Sequence, residues 1–149
     1  MKKLLAVLTL ALLSQTAISS ESVQTIVDDY YFLKTINKLE DKHDTCYPTS
    51  SCFKTACDSV GRFECDDQNE MDALRVACRG VWGGDCITQS KKFLHQFEYD
   101  DNEEMVDIVN SCRGLYDLQC VAYTCQRLGT FGCDDREEII RVNRTCAGY

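Results

Sequence analysis

The sequence predicts an all-α fold in which an N-terminal capping helix precedes three disulfide-stapled α-hairpin repeats, packed as a short solenoid or compact bundle. Three observations carry this expectation. Cys52, Cys86 and Cys120 recur every 34 residues, and Cys78, Cys112 and Cys146 recur at the same interval. The shift also superposes Phe63, Phe97 and Phe131; Val60, Leu94 and Leu128; Met71, Met105 and Ile139; and Leu74, Ile108 and Val142. Within each unit the apolar residues follow helical spacing, and no segment shows sustained period-2 alternation, so little or no sheet is expected.

Residues 1–19 read as a secretory signal peptide. Lys2 and Lys3 precede an apolar run from Leu4 to Leu13, and Ala17-Ile18-Ser19 places small residues at the cleavage positions. That run is too short for an ordinary transmembrane helix and no later stretch is long enough, so no membrane insertion is expected. The first Cys is Cys46, which leaves no lipid acceptor near the cleavage point. The short Lys-Lys start has a bacterial character, and the expected destination is the periplasm or the extracellular medium. Both are oxidising, so 11 Cys imply a disulfide framework.

Residues 20–51 form the capping helix and a linker. Ile26, Tyr30, Leu33, Ile36 and Leu39 make a helical stripe expected to cover the exposed end of the first hairpin, and Tyr47-Pro48 ends the segment. The repeats then occupy residues 52–85, 86–119 and 120–149. In the first unit Phe53, Ala56, Cys57 and Val60 share one face of the first helix, and Gly61, like Gly129, stands where a left-handed terminating residue is wanted. The second helix opens with Asp67-x-x-Glu70, repeated at Asp101-x-x-Glu104 and Asp135-x-x-Glu138. This is a capping-box pattern. Gly80, Gly114 and Gly148 follow as terminators.

The repeat constrains the disulfides. The second unit carries Lys91 and Tyr99 where the others carry Cys57, Cys65 and Cys125, Cys133. Two columns lost together imply a bonded pair, so Cys57 is assigned to Cys65 and Cys125 to Cys133. Two schemes remain for the rest. Nested staples join Cys52 to Cys78, Cys86 to Cys112 and Cys120 to Cys146, leaving Cys46 as a free or intermolecular thiol able to form a disulfide-linked dimer. Staples between units join Cys46 to Cys52, Cys78 to Cys86 and Cys112 to Cys120. The nested scheme is favoured because it reproduces a self-contained unit three times. In the chain-entropy account a staple closing about 26 residues contributes about 3 to 4 kcal/mol and one closing about 8 contributes about 2 to 3. Five such bonds rival the whole net stability of a small domain, which explains how such short helices persist.

A net charge of −8 argues against nucleic acid and anionic membrane surfaces as partners. Calcium ligation by the Asp-Asp-x-x-Glu clusters is outweighed by helix capping, since the twelve-residue loop with its central Gly is absent. Zinc is disfavoured by the compartment, the lack of Cys-x2-Cys pairs and only 2 His. No cofactor is expected. His95 stands in the column of Gly61 and Gly129, as a surface turn residue. Asn143-Arg144-Thr145 is a glycosylation sequon for a eukaryotic host.

His43-Asp44-Thr45-Cys46-Tyr47 resembles the His-Asp-x-Cys-Tyr core of secreted phospholipases A2, which implies His43 as general base and Asp44 as a calcium ligand. The resemblance spans five residues. Glu40, Asp41 and Lys42 stand where that family has its paired Cys, and the Gly-rich Trp82-Gly83-Gly84-Asp85-Cys86 follows the motif instead of preceding it. The expectation is therefore a non-enzyme. The period and helix count also resemble tetratricopeptide-like repeats, whose Trp, Gly, Tyr and Pro positions are not matched.

Repeat proteins of this form present side chains to a partner. The expected function is a protein-binding or inhibitor-like module; the alternatives are a structural envelope or matrix component and a calcium-dependent phospholipase A2-like hydrolase. Columns constant across the units, such as the Phe, the capping Asp and the terminating Gly, are attributed to folding, which leaves specificity to exposed columns that diverge. Thr55, Gln89 and Tyr123 share one and Ser59, Phe93 and Arg127 another, four residues further along the same helices. Phe93, Tyr123 and Arg127 are accordingly the expected binding surface.

Overall fold

The computed structural model describes residues 19–37, 49–61, 63–129 and 132–149. Among the described residues there are seven α-helices and no strand: α1 (Ser19–Asn37), α2 (Thr49–Cys57), α3 (Gln68–Ala77), α4 (Asp85–Lys91), α5 (Asn102–Ser111), α6 (Leu118–Leu128) and α7 (Arg136–Cys146). A short 3-10 turn, Gln96–Glu98, lies between α4 and α5. Residues 1–18 of the expected signal peptide 1–19, residues 38–48 with Leu39, His43, Asp44 and Cys46, and residues 62, 130 and 131 lie outside the described residues.

Local chemistry sets the ends of these helices. Asp67 accepts from the Asn69 and Glu70 amides while Glu70 reaches back to the Asp67 amide, a complete capping box at the start of α3. Asp101 and Asp135 accept from the Glu104 and Glu138 amides at the starts of α5 and α7. Gly80, Gly114 and Gly148 turn the chain with positive φ just past the second helices. Gly61 differs from expectation. α2 ends earlier, at Cys57, and Gly61 instead permits a close approach: its amide donates to the Asp100 carbonyl at 2.7 Å, where a Cβ would crowd the same oxygen at 3.0 Å.

Helices α2 and α3, α4 and α5, and α6 and α7 pack as successive pairs. Cys52–Cys78, Cys86–Cys112 and Cys120–Cys146 each join the first helix of a pair to the end of the second, so the two helices run in opposite directions. Cys57–Cys65 and Cys125–Cys133 tie the first and third intrapair loops. These five pairings are those of the nested arrangement. In the second pair, Lys91 lies over the Tyr99 ring at 4.9 Å, so a cation–π contact stands where the other two have a disulfide.

Pair packs on pair through α2 against α4, α3 against α5, α4 against α6 and α5 against α7. Leu74, Ile108 and Val142, one column, are fully buried, as are Ile87, Met105, Val121 and Ile139. At the first junction Gly84 meets Thr55 so closely that an added Cβ would stand 2.1 Å from Oγ1. Two equivalent backbone anchors join successive pairs. The Glu64 carboxylate accepts from the amide of Asn102, the first residue of α5, at 3.3 Å, and Glu98 accepts from that of Arg136, the first residue of α7, at 3.1 Å.

Helix α1 corrects one expectation. It packs on α6 and α7, the third pair, and not on the first. Its buried stripe is Val23, Val27 and Tyr30, while Ile26 and Leu33 are only half-buried. The Tyr30 hydroxyl donates to Asp117 at 2.8 Å, Lys34 pairs with the same carboxylate at 3.0 Å, and the Tyr31 hydroxyl donates to the Cys146 carbonyl at 2.8 Å. Burial, reinforced by the negative Asp117, pushes the Tyr31 pKa up.

Candidate functional surfaces

Several residues of the expected binding stripe make contacts between pairs. Thr55 packs against Gly84, and Ser59 Oγ accepts from Lys91 Nζ at 2.8 Å. Phe93 is half-buried against the core, in a groove with Cys125, Gln126 and Cys133 of the next pair. Tyr123 lies beneath Tyr30 of α1, with ring centroids 5.4 Å apart. Of Phe93, Tyr123 and Arg127, only Arg127 is fully exposed. The contacts differ from pair to pair: Thr55 and Ser59 meet Gly84 and Lys91, Phe93 meets residues of α6, and Tyr123 meets Tyr30 of α1.

Asp117 is the residue that the sequence reading passed over. It caps α6 by accepting from the Gln119 and Cys120 amides, and it also takes the Tyr30 and Lys34 bonds. Its signal was available as a divergence within a column, since the corresponding residue one unit earlier is Gly83. A buried polar trio was missed as well. Asn143 Nδ2 donates to Ser90 Oγ at 3.0 Å and to Ser111 Oγ at 2.9 Å across the second junction. The sequon asparagine is therefore inside the folded chain, where a glycan has no room.

The acidic starts of the second helices are engaged mainly in capping. Burial, followed by the neighbouring Asp101, raises the Glu104 pKa, and Arg136 at 3.0 Å opposes this. Burial and Asp135 likewise raise Glu138. Among the described residues no cluster of His, Cys, Asp and Glu has a metal-binding arrangement, and no helix is long and apolar enough to cross a membrane. His95 is exposed and precedes the 3-10 turn.

Two aromatic columns reach solvent, at opposite ends of the helices. At the turns between pairs, Trp82 and Tyr116 occupy one column and are 51% and 57% exposed, with their rings edge to face at 5.6 Å. Arg79 and Arg113, also one column and three residues earlier in sequence, are exposed too. At the loops within pairs, Phe63 and Phe97 are 71% and 82% exposed. Neither of these two rings is buried in the core.

The described residues define a class, an all-helical fold braced by disulfides. No family model matches it, and no curated protein or solved structure does so either.

Proposed function

We propose that this chain is a non-catalytic protein-binding or inhibitor-like module of the periplasm or extracellular medium, built as an array of three stapled α-hairpin repeats. One observation carries the reading: Trp82 and Tyr116 stand exposed in the same column with their rings edge to face, and Arg79 and Arg113, three residues before them in sequence, are exposed as well. Trp, Tyr and Arg are the residue types over-represented at interface hot spots, because each combines a large rigid contact area with a polar handle. Gly80 and Gly114 hold the tight turns that project the two rings, and Val81 and Leu115, beside them in sequence, are anchored in the core. The rings are therefore presented on a rigid support, which lowers the entropy cost of binding.

The test is capture of partners by the oxidised protein lacking residues 1–19, compared with Trp82→Ser/Tyr116→Ser. Both side chains lie outside the core, so helicity and the five disulfides should survive while capture falls by tenfold or more, about 1.4 kcal/mol. Equal capture by the variant, or no capture by the parent, refutes the reading.

A further inference from the structure

We infer that the groove between α5 and α7 binds a short extended peptide with free termini, about three residues long, with its carboxylate at Arg144 and its ammonium at Glu137. The proposal goes beyond the Trp82–Tyr116 surface and does not depend on it. The groove has a volume of about 480 Å³, within the range of small-ligand sites. Asp107 lines it from α5, and Glu137, Ile140, Arg141 and Arg144 line it from α7. Tyr149 completes the wall just past the end of α7, against the Gly114 turn, where an added Cβ would stand 3.4 Å from the Tyr149 hydroxyl.

The groove is ordered by charge. Glu137, Arg141 and Arg144 are spaced i, i+4, i+7 and share one face of α7, acidic at its start and basic at its end, with Ile140 beside them. Asp107 holds the column of Arg141 one unit earlier, which places it at the middle of the groove. Asp107, Glu137 and Arg144 enter no ion pair among the described residues, and Arg141 has only Glu138, at 3.9 Å. The Arg141 Nε is buried with no hydrogen-bond partner. One unit earlier the corresponding residues are Ala73, Glu103, Val106, Asp107 and Asn110, with no base among them, so packing α3 on α5 needs no such charges. Tyr149 takes the column of the buried Val81 and Leu115 and yet is 80% exposed.

The occupant follows from this arrangement. A lone anion would be attracted by the two guanidinium groups and repelled by Asp107 and Glu137, and a lone cation would meet the reverse. A zwitterion satisfies both ends. Glu137 and Arg144 are separated by about 10 Å along the helix axis, two turns of α7. An extended peptide rises about 3.3 Å per residue, so three residues set an ammonium and a carboxylate at that separation. The Arg144 guanidinium offers the planar fork that a carboxylate takes bidentately. At mid-groove Asp107 can accept from a peptide N–H and Arg141 can donate to a peptide carbonyl, while an apolar central side chain packs on Ile140.

The experiment titrates the oxidised protein calorimetrically with alanyl-leucyl-alanine, and with the same peptide acetylated at its N-terminus or amidated at its C-terminus. The expected result is saturable binding of the free tripeptide, weakened by about tenfold or more when either end is blocked. A pentapeptide with free termini, too long to meet both ends of the groove, should be weakened as much. Arg144→Gln should weaken the free tripeptide by about tenfold and leave the amidated one unchanged, and Glu137→Gln should do the same for the free and acetylated peptides. Both side chains are exposed, so the variants should keep the helicity and melting temperature of the parent. Trp82→Ser/Tyr116→Ser should bind the tripeptide as the parent does, so failure here leaves the Trp82–Tyr116 reading standing and the converse also holds. No binding by the parent, equal affinity for a blocked or longer peptide, or an unchanged Arg144 or Glu137 variant each overturns the proposal.

Discussion

Replacing Asn143 by Val should show that two successive junctions of this chain are built on incompatible chemistry. Shifting Ser90, Ser111 and Asn143 by 34 residues gives Ala56, Ala77 and Val109, and all six are buried. The first junction is apolar at these positions; the second is a hydrogen-bonded trio. In Asn143→Val the Ser111 hydroxyl still donates to the Ile108 carbonyl at 2.7 Å, so it loses only an accepted bond. Ser90 loses the Asn143 bond inside a fully buried site. Two lost neutral bonds at about 1 kcal/mol each, plus the penalty of a stranded hydroxyl, give about 2 to 3 kcal/mol of destabilisation. Ser90→Ala/Ser111→Ala strands the buried Asn143 amide instead and should cost about as much.

The triple variant, Ser90→Ala/Ser111→Ala/Asn143→Val, recreates the apolar chemistry of the first junction and leaves no orphaned group. It should lie within about 1 kcal/mol of the parent, because removing both sides of a buried polar contact is nearly neutral. The assay is guanidinium unfolding followed by circular dichroism with disulfides intact, comparing midpoints at constant slope. The signature is a strong favourable coupling between the changes. Additive losses, or a neutral Asn143→Val, would show that the trio is not a unit and would refute the reasoning.

Two further outcomes are expected. Lys91→Cys/Tyr99→Cys restores the two columns in which the second pair departs from its neighbours; non-reducing peptide mapping should find the new bond, with a gain of about 2 kcal/mol and a raised unfolding midpoint. Glu104 and Glu138 have folded pKa values raised by burial, so the folded state binds more protons than the unfolded one between the two values; their contribution to stability falls as pH rises through that window and returns on acidification. Glu138→Gln should therefore raise the melting temperature at pH 7 and flatten the gain seen in the parent on lowering the pH towards 5, whereas an unchanged pH profile would contradict the assignment.

Features that depend on spacing were legible in the sequence. The Cys columns, the capping Asp residues and the Gly terminators are local, and local physics repeats with the chain. Neighbours are not local. The apolar stripe of α1 shows that one face is buried but not what buries it, and Tyr30 finds its partner in Asp117, 87 residues away. The divergent stripe shows the same limit. Thr55, Phe93 and Tyr123 each meet a different neighbour, Gly84, α6 and Tyr30, which spacing along the chain does not reveal. Exposure is not legible from repetition either, since Phe63 and Phe97 repeat as regularly as the buried Leu74 and Ile108 and yet lie at the surface.

The two ends of the array explain where α1 went. On the outer face of the first pair, Arg75 takes the column of Val109 and Asn143, Asp72 that of Val106 and Ile140, and Gln68 that of Asn102 and Arg136. The Arg75 guanidinium lies over the Phe53 ring at 4.9 Å and bonds Asp72 at 2.8 Å, shielding a ring that stands in the column of the fully buried Ile87 and Val121. That face is already polar, and burying it under an apolar helix would strip solvent from charges without replacing their partners. The third pair ends differently. Glu64 and Glu98 each anchor a following pair, and their counterpart is Gly132, which has no carboxylate to offer. Val142 and Thr124 are buried, and Tyr123 and Asp117 supply a ring and a carboxylate to meet Tyr30 and Lys34. The apolar stripe of α1 thus has one end on which it can be buried with its polar groups paired. The covalent order of the chain places it beside the first pair; the chemistry of the faces sends it to the last.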